Sequence, residues 1–236
     1  MGYFPFDESS NLVELAVADG AVTVFPFTDT SGTTVTDSAP GKYVNAVSTY
    51  GSGITLAQAP TGGMIGAVDL PGTAGTQLIT VLSYANQNLG AYNDAFTFET
   101  VAQIDGAGTV GDGSYATIFG YNSSHRFLVH TTTGALLVSA GSGLTAASST
   151  FPIGSYFHMI FTFDPFVSTK ARLWVNGSSI TLTGDTTAQI LSGTMTKVGG
   201  YDGANYMLNG RLGLVAIYRY PLTSTQVAAH YAMARL

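Results

Sequence analysis

Residues 154–177 read Gly-Ser-Tyr-Phe-His-Met-Ile-Phe-Thr-Phe-Asp-Pro-Phe-Val-Ser-Thr-Lys-Ala-Arg-Leu-Trp-Val-Asn-Gly, and this stretch leaves little choice of architecture. Side chains on a strand point alternately to the two faces of its sheet. Over 156–163 the alternation puts Phe157, Met159, Phe161 and Phe163 on one wholly apolar face, and Tyr156, His158, Ile160 and Thr162 on a mixed one. Asp164-Pro165 ends the strand, because proline has no N–H to give the ladder. Alternation resumes over 171–175, with Ala171, Leu173 and Val175 opposite to Arg172 and Trp174. Asn176-Gly177 then tolerates the positive φ of a tight hairpin, and 180–183 completes a meander. A sheet with one such apolar face must bury it against a second layer. The stretch therefore predicts an all-β, antiparallel sandwich.

The rest of the chain fits that frame. Short runs near 21–27, 33–36, 43–48, 53–58, 65–70 and 76–82 are separated by Gly, Pro and Ser, the spacing of sandwich strands. Further strands are predicted at 95–104, 115–120, 125–130, 134–140, 195–200 and 211–219, with 106–113 a glycine-rich loop and 141–155 a Ser/Gly/Ala linker. In the first of these, Phe96, Phe98 and Thr100 share one face and Ala95, Thr97, Glu99 and Val101 the other. The period changes only near the C-terminus. Thr223 and Gln226 form a capping box, Leu222 and Val227 a hydrophobic staple, and Val227, Tyr231 and Ala234 fall on one face of a single short helix over 224–234. Residues 1–20 stand outside the sandwich domain at 21–236, as an extra edge strand or as an arm that docks on a neighbouring subunit.

Composition narrows the partners. With a net charge of −6 and eight dispersed cations, the chain has no patch to track phosphates, so neither nucleic acid nor an anionic membrane surface is an expected partner. No apolar run approaches the ~18–20 residues of a membrane span. There is no cysteine, so no disulfide staples the fold. The opening Met1-Gly-Tyr-Phe-Pro-Phe-Asp-Glu lacks the basic start and apolar core of a signal peptide, so if Met1 is the native start, export by the usual route is not expected.

Tyr-Phe-His-Met-Ile-Phe-Thr-Phe-Asp at 156–164 and Ala-Arg-Leu-Trp-Val-Asn-Gly at 171–177 resemble the core of the laminin-G-like domains of the concanavalin A-like lectin/glucanase superfamily. Similar pieces occur in order at 24–27 with 31–38, at 95–99, 198–203 and 208–212, and at 215–218 with 222–223, so the resemblance covers residues 21–236. It implies a jelly-roll β-sandwich. It says little about function, because this fold hosts lectins, adhesins, hydrolases and structural modules alike.

Several chemistries can be weighed on that frame. Glycoside hydrolysis needs two carboxylates, about 5–5.5 Å apart for retention and about 6.5–9.5 Å apart for inversion. The fold's hydrolases, as the resemblance implies, carry Glu, Asp and Glu at alternating positions of one strand; here Glu99 is the sole glutamate in 21–236, and Thr97 and Val101 flank it. No catalytic residue is assigned, and the chain is expected not to be an enzyme. His158 falls where the resembled family often carries a structural histidine. Relatives also bind calcium at the sandwich rim, which makes Asp105 and Asp112, or Asp202 with Asn205, candidate Ca²⁺ ligands; the alternative is that these residues only make turns. For glycans, which want aromatic faces and Asn/Asp side chains, the candidates are Tyr121, Asn122 and His125 in one loop and Tyr201, Asp202, Asn205 and Tyr206 in another. The functional expectation is a non-catalytic display or adhesion protein on a virion surface or outside the cell. It would bind glycans, and would meet a protein partner on a particle such as a phage capsid or fibre through residues 1–20, or self-associate. The alternatives are a secreted microbial lectin-like module and a glycoside hydrolase relative.

Overall fold

Two antiparallel sheets press their apolar faces together in the computed structural model, which describes residues 11–39, 48–73, 79–80, 95–108, 114–122, 125–140, 143–184, 197–200 and 206–236. Helix α1 (Leu12–Ala18) precedes strands β1 (Thr23–Phe25), β2 (Thr34–Val35), β3 (Ser48–Tyr50), β4 (Thr55–Gln58), β5 (Ala67–Pro71) and β6 (Ile79–Thr80). The middle of the chain gives β7 (Phe96–Gly106), β8 (Tyr115–Asn122), β9 (His125–His130), β10 (Leu136–Ala140), β11 (Leu144–Ala146), β12 (Tyr156–Phe163) and β13 (Ala171–Val175). Then come β14 (Ser178–Ile180), β15 (Leu182–Gly184), β16 (Lys197–Val198), β17 (Asn209–Tyr218) and helix α2 (Ser224–Ala234). The first sheet runs β14-β13-β12-β7-β17-β5-β4, and β1 pairs with the far end of β17. The second runs β15-β11-β10-β9-β8-β16-β6-β3-β2.

The predicted alternation is the one observed. Phe157, Met159, Phe161 and Phe163 face the core between the sheets, with Ala171, Leu173 and Val175 beside them on β13. Phe98 of the first sheet stacks on Phe119 of the second at 3.9 Å, and Phe161 meets Phe127 edge-on at 4.9 Å. Strand β17 changes face partway along. A bulge between Leu212 and Leu214 lets Leu212, Val215 and Ile217 all point inward while Leu214, Ala216 and Tyr218 point outward.

The outer face of the first sheet has a second apolar cluster. Val101, Ile160, Trp174, Leu214, Ala216 and Tyr218 are covered there by α1 and α2. Helix α2 has the predicted bounds and the predicted cap: Gln226 N donates to Thr223 Oγ1 at 3.3 Å, and Thr223 N donates to Gln226 Oε1 at 3.0 Å. Helix α1 corrects part of the sequence reading, which allows one helix and makes residues 1–20 an edge strand or an arm that docks on a neighbouring subunit: Leu12–Ala18 are helical, while residues 1–10 lie outside the described residues. Asn11 caps the helix by accepting from Glu14 N; Leu12, Val13 and Ala16 are buried against the protein's own sheet and α2, and Leu15 is buried as well. The linker at 141–155 is corrected too, because Leu144 and Ala146 are core residues of β11. The strand at 180–183 is in fact two, β14 in the first sheet and β15 in the second, so the chain crosses between layers at Thr181. The strand at 43–48 falls outside the described residues except for Ser48, and that at 76–82 except for Ile79 and Thr80.

Candidate functional site

The second sheet carries its side chains outward from β8, β9 and β10 without a helix over them among the described residues. Ala116, Ile118, Phe127, Val129, Leu136 and Val138 are spent on the core, so alternation turns Tyr115, Thr117, Arg126, Leu128, His130 and Leu137 to the outer face. Leu128 and Leu137 sit directly opposite each other, and Leu137 opposes Thr145, whose hydroxyl shares a 2.8 Å hydrogen bond with that of Thr183. Leu128 and Thr117 are themselves buried, so what this part of the face presents is half-buried Leu137 ending in the exposed Thr145 and Thr183 hydroxyls.

Tyr206 closes the other side. Its carbonyl accepts from Thr117 N at 2.8 Å, its ring stands edge-on to Tyr115 at 6.3 Å, and the Arg126 guanidinium lies 4.6 Å above its centroid. Arg126 is opposite Gly120, which presents no side chain to obstruct it. Tyr115 in turn meets His130, its cross-strand partner, edge-on at 5.0 Å. Tyr206 holds a backbone φ of +52°, a conformation bulky residues adopt at a cost of order 1 kcal/mol or more. The strain is held by the surrounding contacts and fixes a half-buried aromatic ring at one edge of this face.

The sequence candidates distribute unevenly around this face. Tyr206 is on it. Tyr201, Asp202, Asn205 and Asp112 lie outside the described residues. Tyr121, Asn122 and His125 are strand residues at the β8–β9 hairpin, where Asn122 pairs with His125, and not members of a free loop; their side chains are not among those described. Asp105 is exposed on the first sheet, the opposite layer, and accepts from Gln103 Nε2. No group of three His, Cys, Asp or Glu side chains is arranged to hold a metal among the described residues. Arg126, Tyr115 and Leu137 escaped the sequence reading, although period-2 alternation outward from Phe127 and Ala116 could have found them.

A set of strongly perturbed titratable groups lies elsewhere, beneath α2. Glu99, fully buried on the outer face of β7, accepts from His158 Nε2 at 2.8 Å, from Tyr218 Oη at 2.6 Å and from His230 Nδ1 at 2.9 Å. His230 Nε2 lies 3.0 Å from Asp19 Oδ2. A neutral imidazole has one N–H, and here both ring nitrogens face carboxylates, so the geometry calls for the doubly protonated ring. Burial pushes the Glu99 carboxyl up, but the charge on His230 and the hydrogen bonds from His158 and His230 outweigh it and hold the group below the usual carboxylate range. Burial likewise pulls His230 down, and the Glu99 and Asp19 carboxylates carry it up to about 9. Burial and Glu99 together push the Tyr218 phenol well up. Every oxygen of Glu99 is engaged, and the network joins β7, β12, β17 and α2 to the segment after α1.

Comparison with known structures defines the class. A fourth domain of AbnA, an extracellular arabinanase from Geobacillus stearothermophilus seen in complex with arabinotriose, superposes with a TM-score of 0.61 at 16% identity, over 89% of this chain and 98% of that domain. The botulinum neurotoxin serotype G binding domain gives 0.63 at 13% identity, over 91% of this chain and 51% of that one. The Trypanosoma rangeli sialidase gives 0.60 at 14%, over 90% of this chain and 32% of the enzyme. The chain thus spans about a third of the sialidase and about half of the neurotoxin domain. At these identities the likeness is one of fold alone. A laminin-G-type family model matches residues 74–228, and the chain belongs to that family of the concanavalin A-like lectin/glucanases superfamily. No curated protein sequence matches it.

Proposed function

We propose that this protein is a non-catalytic glycan-recognition module that binds sugars on the outer face of its second sheet. The observation that carries the reading is the fixed ring of Tyr206, held beside Tyr115 and under Arg126 at the edge of that face. Such a face offers a sugar's C–H surface the half-buried Tyr115, Tyr206 and Leu137, and its hydroxyls the exposed Thr145 and Thr183. The non-catalytic half is supported by Glu99, whose carboxylate is sealed under α2 and fully hydrogen-bonded. The same proposal puts the module on a virion or outside the cell, displayed through a protein partner; a sandwich with no cysteine and 9% charged residues suits a rigid displayed unit.

The test is a glycan array followed by calorimetry on the best binder, with arabino-oligosaccharides included. Binding is expected, and Tyr206→Ala or Arg126→Gln is expected to weaken it about tenfold, the value of a lost stacking or cation–π contact, without unfolding the protein. A flat array, or affinity unchanged in both variants, would remove the second sheet as the site.

A further inference from the structure

A separate cavity of about 170 Å³ opens at the end of the first sheet, where the β12–β13 turn meets the start of α2. Thr162, Asp164, Lys170, Arg172 and Thr223 line it, with Leu222 among its apolar walls. Thr162 and Arg172 are direct cross-strand partners, and Thr97 continues their row on β7. The Thr97 hydroxyl donates to the Tyr220 carbonyl and accepts from Leu222 N, which pins the opposite wall. The turn is closed by Asp164 N donating to the Lys170 carbonyl. The walls of the cavity are thus fixed by ladder and side chain–backbone bonds.

Its polar lining is net positive. Lys170 and Arg172 are two of the chain's eight cations, and neither forms an ion pair with a described residue. The single carboxylate, Asp164, uses Oδ1 to accept Phe166 N and shape the turn. Thr162 is 2% exposed and borders the cavity. In the same turn Phe166 is 79% exposed and Val167 37%, an apolar pair with nothing described over it.

We propose that this cavity binds a sugar ring that carries a carboxylate. The carboxylate pairs with Lys170 and Arg172, ring hydroxyls meet Thr162 and Asp164, and the apolar ring face rests on Phe166 and Val167. The net positive lining selects an anion in a chain whose total charge is −6. The volume lies below the roughly 300–1,000 Å³ of sites for drug-sized ligands, so it suits one terminal ring, not a chain. This site is independent of the second-sheet face.

Titration of the ¹⁵N-labelled protein with glucuronate, followed by amide shifts, tests it, with glucose and acetate as controls. Saturable shifts are expected at 162–172 and 221–224 with glucuronate, and much weaker ones with either control. A Lys170→Gln, Arg172→Gln double variant should lose about tenfold or more in glucuronate affinity, because two charge-assisted hydrogen bonds go, with the melting temperature unchanged. Tyr206→Ala should leave these shifts intact, which separates this site from the second-sheet reading. Absent shifts, acetate binding as strongly as glucuronate, or undiminished affinity in the double variant would each overturn the proposal.

Discussion

His230 is the residue on which the helical side of the molecule turns. Its ring bridges Glu99 and Asp19 with one N–H to each, and it is wholly buried. A group that binds its proton more tightly when folded stabilises the fold at low pH and stops doing so at high pH. His230 lies above its ordinary 6.5, so its contribution is complete below about 6.5 and is lost as pH climbs to about 9. Glu99 runs the other way: held below 4.5, it contributes fully above that value and loses its contribution as pH falls toward its folded one. Stability from the network should therefore peak between those two ordinary values and decline on the alkaline side. Urea unfolding at stepped pH is expected to show that decline in the wild type, at most a few kcal/mol between neutral pH and 9. His230→Gln should be less stable at pH 6 and nearly flat over the same range. A variant that keeps the wild-type alkaline slope would show that another group sets it.

At the scale of elements, the β13–β14 hairpin shows what sequence can and cannot reveal. Asn176 and Gly177 have φ of +49° and +73°, the two positive values that the dipeptide announced. What no pattern announced is that the turn lies under α2: a Cβ on Gly177 would sit 2.5 Å from the Tyr231 ring. Gly177→Ala should therefore cost more than the roughly 1–2 kcal/mol of a left-handed backbone alone, read by chemical denaturation, and a cost below that would mean the helix yields freely. The greasy face of β12, the capping box of α2 and the split of Trp174 from Leu173 were legible because each depends on near neighbours in sequence. Helix α1 was missed, though Asn11, Glu14 and the Leu12, Leu15, Ala16 spacing carry a cap and a helical face; it has only seven residues. Glu99 with His158 and His230 was invisible for a different reason: 59 and 131 residues separate the partners, and only the fold brings them together. Of the glycan candidates, Tyr206 was reachable because aromatic residues in turns stand out, whereas Arg126 acquires meaning only from its place above that ring.

Across the whole molecule, the two sheets are treated unequally, and this decides what residues 11–20 do. The outer face of the first sheet would expose Val101, Ile160 and Leu214 around a buried carboxylate if nothing covered it. Helices α1 and α2 cover it jointly, and backbone bonds from Leu12 N to Gly63 O and from Gly63 N to Ala234 O tie the two lids to one turn. An arm reserved for a partner would leave the sandwich indifferent to its loss. Here, removal of residues 2–20 takes away three buried aliphatic side chains, Leu12, Val13 and Leu15, and the Asp19 carboxylate from His230. Much of the roughly 1.5–3 kcal/mol gained per buried side chain is spent on ordering the helix. The loss of Asp19, a quarter exposed, adds about 1–2 kcal/mol once screening is allowed for. A net cost of about 2 kcal/mol corresponds to a fall of about 4–8 °C in Tm for a domain of this size. The truncated protein should melt that much lower, and a peptide spanning residues 11–20, added in excess, should restore part of the difference by binding the folded form alone. An unchanged Tm on truncation would return the segment to the role of an arm that docks on a neighbouring subunit and leave the Glu99 network to be sealed by α2 alone.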